Sequence, residues 1–194
     1  MATLVGTVGG QRGREETHQR LRAAAWAVFQ RGGVEAVTVR AVAEQAGAAV
    51  GSLYTYYPDK QALLEDLALS ALSSLGREVA ARADRAPLIA VAEAMRAVFG
   101  AGAPAAALLP VLFRAGQPSG SEFGRRVAGR ILTALGPLAG EHKGHAPAEA
   151  AARALAATAF AFGLALLDSS GLLARLDATP NSVVEAYHAM TARS

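Results

Sequence analysis

Apolar positions in this chain recur at helical spacing along most of its length. Leu21, Ala24, Ala25, Val28 and Phe29 make one stripe between Arg14 and Gln30, with Glu15, Glu16, Arg20 and Arg22 outside it. Gly32 and Gly33 stop that helix, because glycine accepts the left-handed backbone that a helix end often takes. A shorter set follows at Val39, Val42, Ala43 and Ala46; Gly47 interrupts it, and Val50, Leu53, Tyr54 and Tyr57 begin another. Two short helices joined by a tight turn need a small residue at their closest crossing, glycine in the turn and a large aliphatic residue one turn into the second helix. Ala43, Gly47 and Leu53 supply these in the order of a helix-turn-helix.

The pattern continues as helices separated by proline and glycine. Pro58 and Asp59 open a helix that Leu63, Leu64, Leu67, Leu72 and Leu75 carry to about Arg82. Pro87 starts the next one, through Phe99. A loop over Gly100 to Pro104 precedes a segment to Ala115 in which Pro110 bends or restarts the turn. Gly116 to Gly120 is a break, after which Ser121 is an N-cap, with Glu122 in the first turn of a helix reaching about Leu138. Gly136 to Pro147 reads as a surface loop, Pro147 and Glu149 open an Ala-rich helix to Leu167, and a last helix runs from Pro180 to about Ala192 after a break over Gly171 to Thr179. This makes an all-α protein of about nine helices.

Composition sharpens this picture in a few places. Hydrophobic residues are 52% of the 194, and many are Ala, a strong helix former. Such a length suits a small head sharing a core with a larger body. Met1 to Gly13, rich in Gly and without periodicity, reads as a disordered arm ending in two arginines, Arg12 and Arg14. That arm is either a frayed terminus or a segment that lies against a DNA backbone. Its few apolar residues precede its arginines and are too short a run for a signal peptide. Charge adds little: residues 1–60 carry a balance of +2 out of the +3 for the whole chain. Cysteine is absent, which excludes a disulfide framework, a thiolate zinc site and a cysteine nucleophile. The most apolar stretch, Ala150 to Leu167, carries Arg153 near its start and Asp168 at its end and reads as a buried interface helix, not a membrane span. A cytoplasmic protein is expected by default.

The segment AGAAVGSLYTYYPDKQALL resembles the signature of the TetR family of transcriptional regulators, through Gly47, Gly51, Leu53, Tyr54, Tyr56, Pro58, Lys60, Leu63 and Leu64. With the preceding helix the resemblance covers about Arg14 to Leu69. It implies a helix-turn-helix DNA-binding domain over residues 14–60 and an effector-binding and dimerisation domain over 61–194. It also implies that Tyr54, Thr55, Tyr56 and Lys60 contact DNA, that Thr38 caps a helix and touches a phosphate, and that Tyr57 belongs to the core.

In a helix-turn-helix the start of the second helix meets base edges in the major groove. Here that helix begins near Ala49 or Val50, and Ala49 departs from the family's usual Ser or Thr, removing a side-chain cap. Ala49 and Val50 cannot donate hydrogen bonds; a small apolar side chain suits the thymine methyl. Gly51 either permits close backbone approach to DNA or merely suits internal packing. Ser52, with the Tyr54, Thr55 and Tyr56 hydroxyls, can reach phosphates or bases. Arg40, on an exposed helix face, is a further candidate.

The body is expected to bind a second copy of itself, because one helix-turn-helix covers too few base pairs for tight specific binding. Ala156, Ala159, Phe160, Gly163, Leu164 and Leu167 on one helix, with Val183, Val184, Tyr187 and Met190 on the next, form a face for a four-helix interface or for intrachain core. By family analogy Met95, Phe99, Leu112, Phe113, Phe123 and Phe160 surround a pocket for a small, mainly hydrophobic effector, with Gln117 and Asp168 as polar contacts. Plain core is the alternative for each. His142, His145 and Glu141 have metal-ligand chemistry but sit in a Gly-rich loop without a third fixed ligand. No catalytic triad, phosphate-cradling loop or dinucleotide fingerprint occurs. The expectation is therefore a homodimeric repressor of double-stranded operator DNA, released by a small molecule, with no cofactor, no membrane and no enzymatic activity. Control by a protein partner without a pocket, and a small metal-dependent enzyme built on His142 or His145, are the alternatives.

Overall fold

A computed structural model of the chain describes residues 5–84, 87–100, 102–114, 121–139 and 147–191. Among the described residues there are ten α-helices, a 3-10 turn and no strand: α1 (Val5–Ala36), α2 (Val39–Ala46), α3 (Val50–Tyr54), α4 (Lys60–Ala80), α5 (Pro87–Phe99), the 3-10 turn (Pro104–Leu108), α6 (Leu109–Arg114), α7 (Glu122–Ala139), α8 (Pro147–Ser169), α9 (Leu172–Arg175) and α10 (Pro180–Thr191). The all-α reading holds. The tenth helix is α9, a single turn that opens on Gly171 at φ 72° in the stretch read as a break. A segment of four residues is too short to leave a periodic signature.

The chain divides into two compact units, 1–68 and 69–194. In the first, α1 passes through Gly33, whose φ of 65° and ψ of −163° interrupt the helix where the sequence places its stop. At the other end α1 runs back to Val5, inside the stretch read as a disordered arm. Extending a docked helix adds one hydrogen bond per residue fixed, so upstream residues join more readily than they would nucleate alone.

Local capping fixes the next elements. Thr38 accepts from the Ala41 N–H at 3.1 Å and starts α2. Gly47, left-handed at φ 61°, ends it, and the Ala48 N–H returns to the Ala43 carbonyl at 2.9 Å. Ala43 is 1% exposed, which lets α2 pack closely with its neighbours. Asp59 accepts from the Ala62 N–H at 2.8 Å and caps α4. Leu21, Phe29, Val42, Leu53, Leu63 and Leu67 fill the centre of this unit. Each such apolar side chain contributes about 1.5–3 kcal/mol relative to leaving it in water.

In the second unit α5 and α7 pack on α8. Ser121 caps α7 by accepting from the Gly124 N–H at 2.9 Å, and Pro110 sits in the first turn of α6, where a missing N–H costs nothing. α7 continues to Ala139, past the point where Gly136 was read as the start of a loop. A second cluster gathers Ala92, Leu164, Leu173 and Val184, with Phe160 and Tyr187 packed against it. Among the described residues no single helix is long and apolar enough to cross a membrane.

Candidate nucleic-acid interface

The geometry of α3 separates what the fold needs from what it offers outward. Leu53 is completely buried and Tyr57 is 2% exposed; these two anchor the segment. Ala49, Val50, Gly51, Ser52, Tyr54 and Thr55 are exposed, and Tyr56 is half-buried. One short helix thus spends a single Leu on the core and leaves almost every other side chain free for a partner. Ala49 makes no side-chain cap, as its methyl requires. A Cβ built on Gly51 would meet nothing within 4 Å, so packing within the chain does not demand glycine there.

The remaining candidates lie around this helix. Thr38 and Arg40 are exposed on the start of α2. Lys60 is half-buried, its Nζ 3.4 Å from the exposed Glu35 carboxylate, a weak surface pair that a phosphate oxygen can replace.

Behind α3 lies a polar cluster that the sequence reading missed. Asp66 of α4 is 7% exposed and accepts from Arg22 Nε at 2.8 Å and Arg22 Nη2 at 3.0 Å. Tyr57 donates to the same carboxylate at 2.7 Å. His18 Nε2 stands 3.5 Å from Asp66 Oδ2, and its Nδ1 faces Arg22 Nη2 at 3.2 Å. Its ring stacks on Tyr57 at 5.6 Å and on Tyr56 at 6.1 Å between centroids. Burial pushes the Asp66 carboxyl up, but hydrogen bonds from Arg22 and Tyr57, with the Arg22 charge, outweigh it and hold the group below its ordinary value. Arg22 is raised, chiefly by its hydrogen bond to Asp66. The available signal was an aspartate set between Leu64 and Leu67 on a buried stripe, which demands a cation from elsewhere.

Residues 21–67, which span this helix-turn-helix with Arg22, Tyr57 and Asp66 of its polar hub, match the model for bacterial regulatory proteins of the tetR family. The KstR transcriptional repressor of Mycolicibacterium smegmatis is 44% identical over 82 residues, covering 41% of this chain and 37% of the relative. Over these residues the chain carries a DNA-binding region of the TetR type. KstR of Mycobacterium tuberculosis is 40% identical over 88 residues, 44% of this chain and again 37% of the relative. The match to these curated relatives thus spans little more than a third of their length. The fold is shared more widely. A transcriptional regulator from Pseudomonas aeruginosa PAO1 superposes with a TM-score of 0.57 at 22% identity, over 91% of this chain and 88% of that one. FadR from Bacillus subtilis, in complex with stearoyl-CoA, gives 0.54 at 18% identity, over 87% and 96%.

The second unit contains a cavity of about 350 Å³. Met95, Phe99, Leu112 and Phe113 line it, together with Leu72, Leu75, Val127, Ile131 and Phe162. Thr158 brings a hydroxyl to a wall that is otherwise apolar. Phe113 meets Phe162 edge to face at 5.4 Å and is itself 64% exposed. Two expected lining residues fall elsewhere. Phe160 packs on Tyr187 at 4.3 Å beside the second cluster, and Phe123, half-buried, is not part of the cavity wall. Asp168 faces Arg96 at 3.8 Å instead of the cavity. Gln117, His142, His145 and Glu141 lie outside the described residues.

The candidate interface residues also divide. Leu164 and Val184 are 3% and 1% exposed, covered by their own chain, which corrects their reading as interface residues. Ala156, Ala159, Leu167 and Met190 are exposed, and Gly163, Val183 and Tyr187 half-buried.

Proposed function

We propose that the chain is a sequence-specific DNA-binding repressor that acts as a homodimer and leaves its operator when a small, mainly hydrophobic effector occupies the second unit. The observation that carries this reading is α3: its buried Leu53 and the buried Tyr57 beyond it fix a helix whose other side chains face outward. Ala49 and Val50 lie against base edges, with Val50 or Ala49 on a thymine methyl. Gly51 allows the backbone close to the duplex; Ser52, Tyr54, Thr55 and Tyr56 hydroxyls, Thr38, Arg40 and Lys60 hold phosphates or bases. Selection from random duplexes tests this: half-sites in two-fold arrangement carrying at least one thymine under the start of α3 support it, and no sequence preference overturns it.

An effector is favoured over control by a protein partner because the second unit holds a cavity of about 350 Å³ whose lining is almost wholly apolar. The helix α4 starts in one unit and continues in the other, giving effector and operator a shared element to bias. Coupling of this kind is reciprocal, so operator must weaken the effector to the same factor that the effector weakens operator. Calorimetry with and without operator measures that factor, and a factor of one removes the release mechanism.

A further inference from the structure

An open groove of about 690 Å³ runs between α1 and the residues that follow α3, lined by Arg12, Arg14, Glu15, His18, Thr55 and Tyr56. We infer that this groove grips the sugar-phosphate backbone of the duplex that α3 reads, so that the front of α1 extends the DNA contact beyond the helix-turn-helix. The inference rests on the DNA-binding reading above.

Its chemistry fits one kind of occupant. Arg12 and Arg14 are exposed and bring two planar guanidinium forks, the geometry that pairs with phosphate oxygens. Against them stands one carboxylate, Glu15, which already takes a long hydrogen bond from Gln19 at 3.4 Å. Thr55 sits at the C-terminal end of α3 and offers an exposed hydroxyl to the same space. The groove therefore adjoins the recognition helix, and a strand running past that helix meets it.

The floor is also rigid. Tyr56 stacks on His18, whose ring is held between Arg22 and Asp66, and Asp66 holds Tyr57. A wall fixed this way loses little side-chain freedom on binding, which is where a weak surface contact is usually spent.

The experiment uses the full chain and a duplex obtained by selection, with affinity followed against salt concentration. Arg12→Ala with Arg14→Ala is expected to weaken binding about tenfold or more at moderate salt and to lower the slope of log affinity against log salt by about 1.8, the value for two lost phosphate contacts. Arg12→Lys with Arg14→Lys keeps a slope near wild type, and Glu15→Gln tightens binding about two- to fivefold by removing the opposing charge. Base preference at every position stays the same in all three. Thermal melting at the wild-type temperature establishes that the exposed substitutions leave the fold intact. An unchanged slope in the alanine variant overturns the inference while leaving the regulator reading in place. So does a changed base preference, which assigns the arginines to base edges. A wild-type chain that selects no sequence removes the regulator reading and this inference together.

Discussion

The hydroxyl of Tyr57 donates to Asp66 Oδ2 at 2.7 Å, tying the residue just beyond the recognition helix to α4. Because Arg22 holds both oxygens of the same carboxylate, α1, α4 and the segment after α3 meet on one buried charge. Asp66→Ala takes the carboxylate from the half-buried Arg22 and from Tyr57 and is expected to cost about 2–4 kcal/mol, less than a fully buried pair because Arg22 keeps access to water. Tyr57→Phe removes the charge-assisted hydrogen bond to Asp66 and should cost about 1.5–3 kcal/mol. Urea denaturation measures both, and equal losses for the two variants would contradict the hub.

The same carboxylate gives stability a defined acid dependence. Its folded pKa lies below the unfolded value, so the folded state binds its proton less readily. The stabilisation is fully present above about pH 4, the unfolded carboxyl range, and is lost as pH falls through the folded value. Asp66→Asn has no such group. The gap in urea midpoint between wild type and Asp66→Asn should therefore be wider at pH 7 than at pH 3; a gap that is constant with pH excludes Asp66 as its source.

Gly51 separates folding from recognition. With open space around a built Cβ and no positive φ, Gly51→Ala meets no steric obstacle in the chain and gains up to about 1 kcal/mol of helix propensity. If the backbone there approaches a base pair, the added methyl intrudes on the duplex and operator affinity falls by about tenfold, about 1.4 kcal/mol. Thermal melting and operator titration of this one variant give opposite signs. An undiminished affinity would place the duplex farther from Gly51.

How much of this was legible in the sequence follows from the range of the forces involved. Thr38, Gly47, Asp59 and Ser121 act on backbone groups a few residues away, so their roles stand in the local string. Asp66 and Arg22 are 44 residues apart, and nothing between them encodes the pairing. The helices α8 and α10 are hard for another reason. Alanine is compatible with core, interface and surface alike, so spacing alone does not say which face turns inward, and Leu164 and Leu167 look equivalent until one is found at 3% exposure and the other at 39%. Phe160 and Phe123 were assigned to the pocket by family analogy, and helical spacing cannot tell an aromatic of the core from one on a cavity wall.

Filling the cavity tests the effector half of the mechanism. Ile131 is half-buried on its wall, so Ile131→Trp occupies space that an apolar ligand needs without placing a charge in the core. The uncharged fluorescent probe N-phenyl-1-naphthylamine should brighten with wild type and much less with Ile131→Trp, while affinity for the selected duplex stays within about threefold, less than 1 kcal/mol. Equal brightening puts the probe, and with it the proposed effector site, elsewhere.

The divided exposure of the candidate interface makes the homodimer testable without ambiguity from misfolding. Met190 is 73% exposed and Leu167 39%, so an aspartate at either position remains solvated in the isolated chain and becomes an unpaired charge only when a second copy covers it. Val184, at 1% exposure, has no such choice: Val184→Asp buries the charge in one chain and should abolish cooperative unfolding. The expected pattern by sedimentation velocity and circular dichroism is a helical monomer for Met190→Asp with Leu167→Asp, and loss of structure for Val184→Asp. Monomers must then bind a two-half-site operator far more weakly than the dimer, because each half-site is held alone. If the double variant still sediments as a dimer with unchanged operator affinity, the two-fold axis passes through another surface.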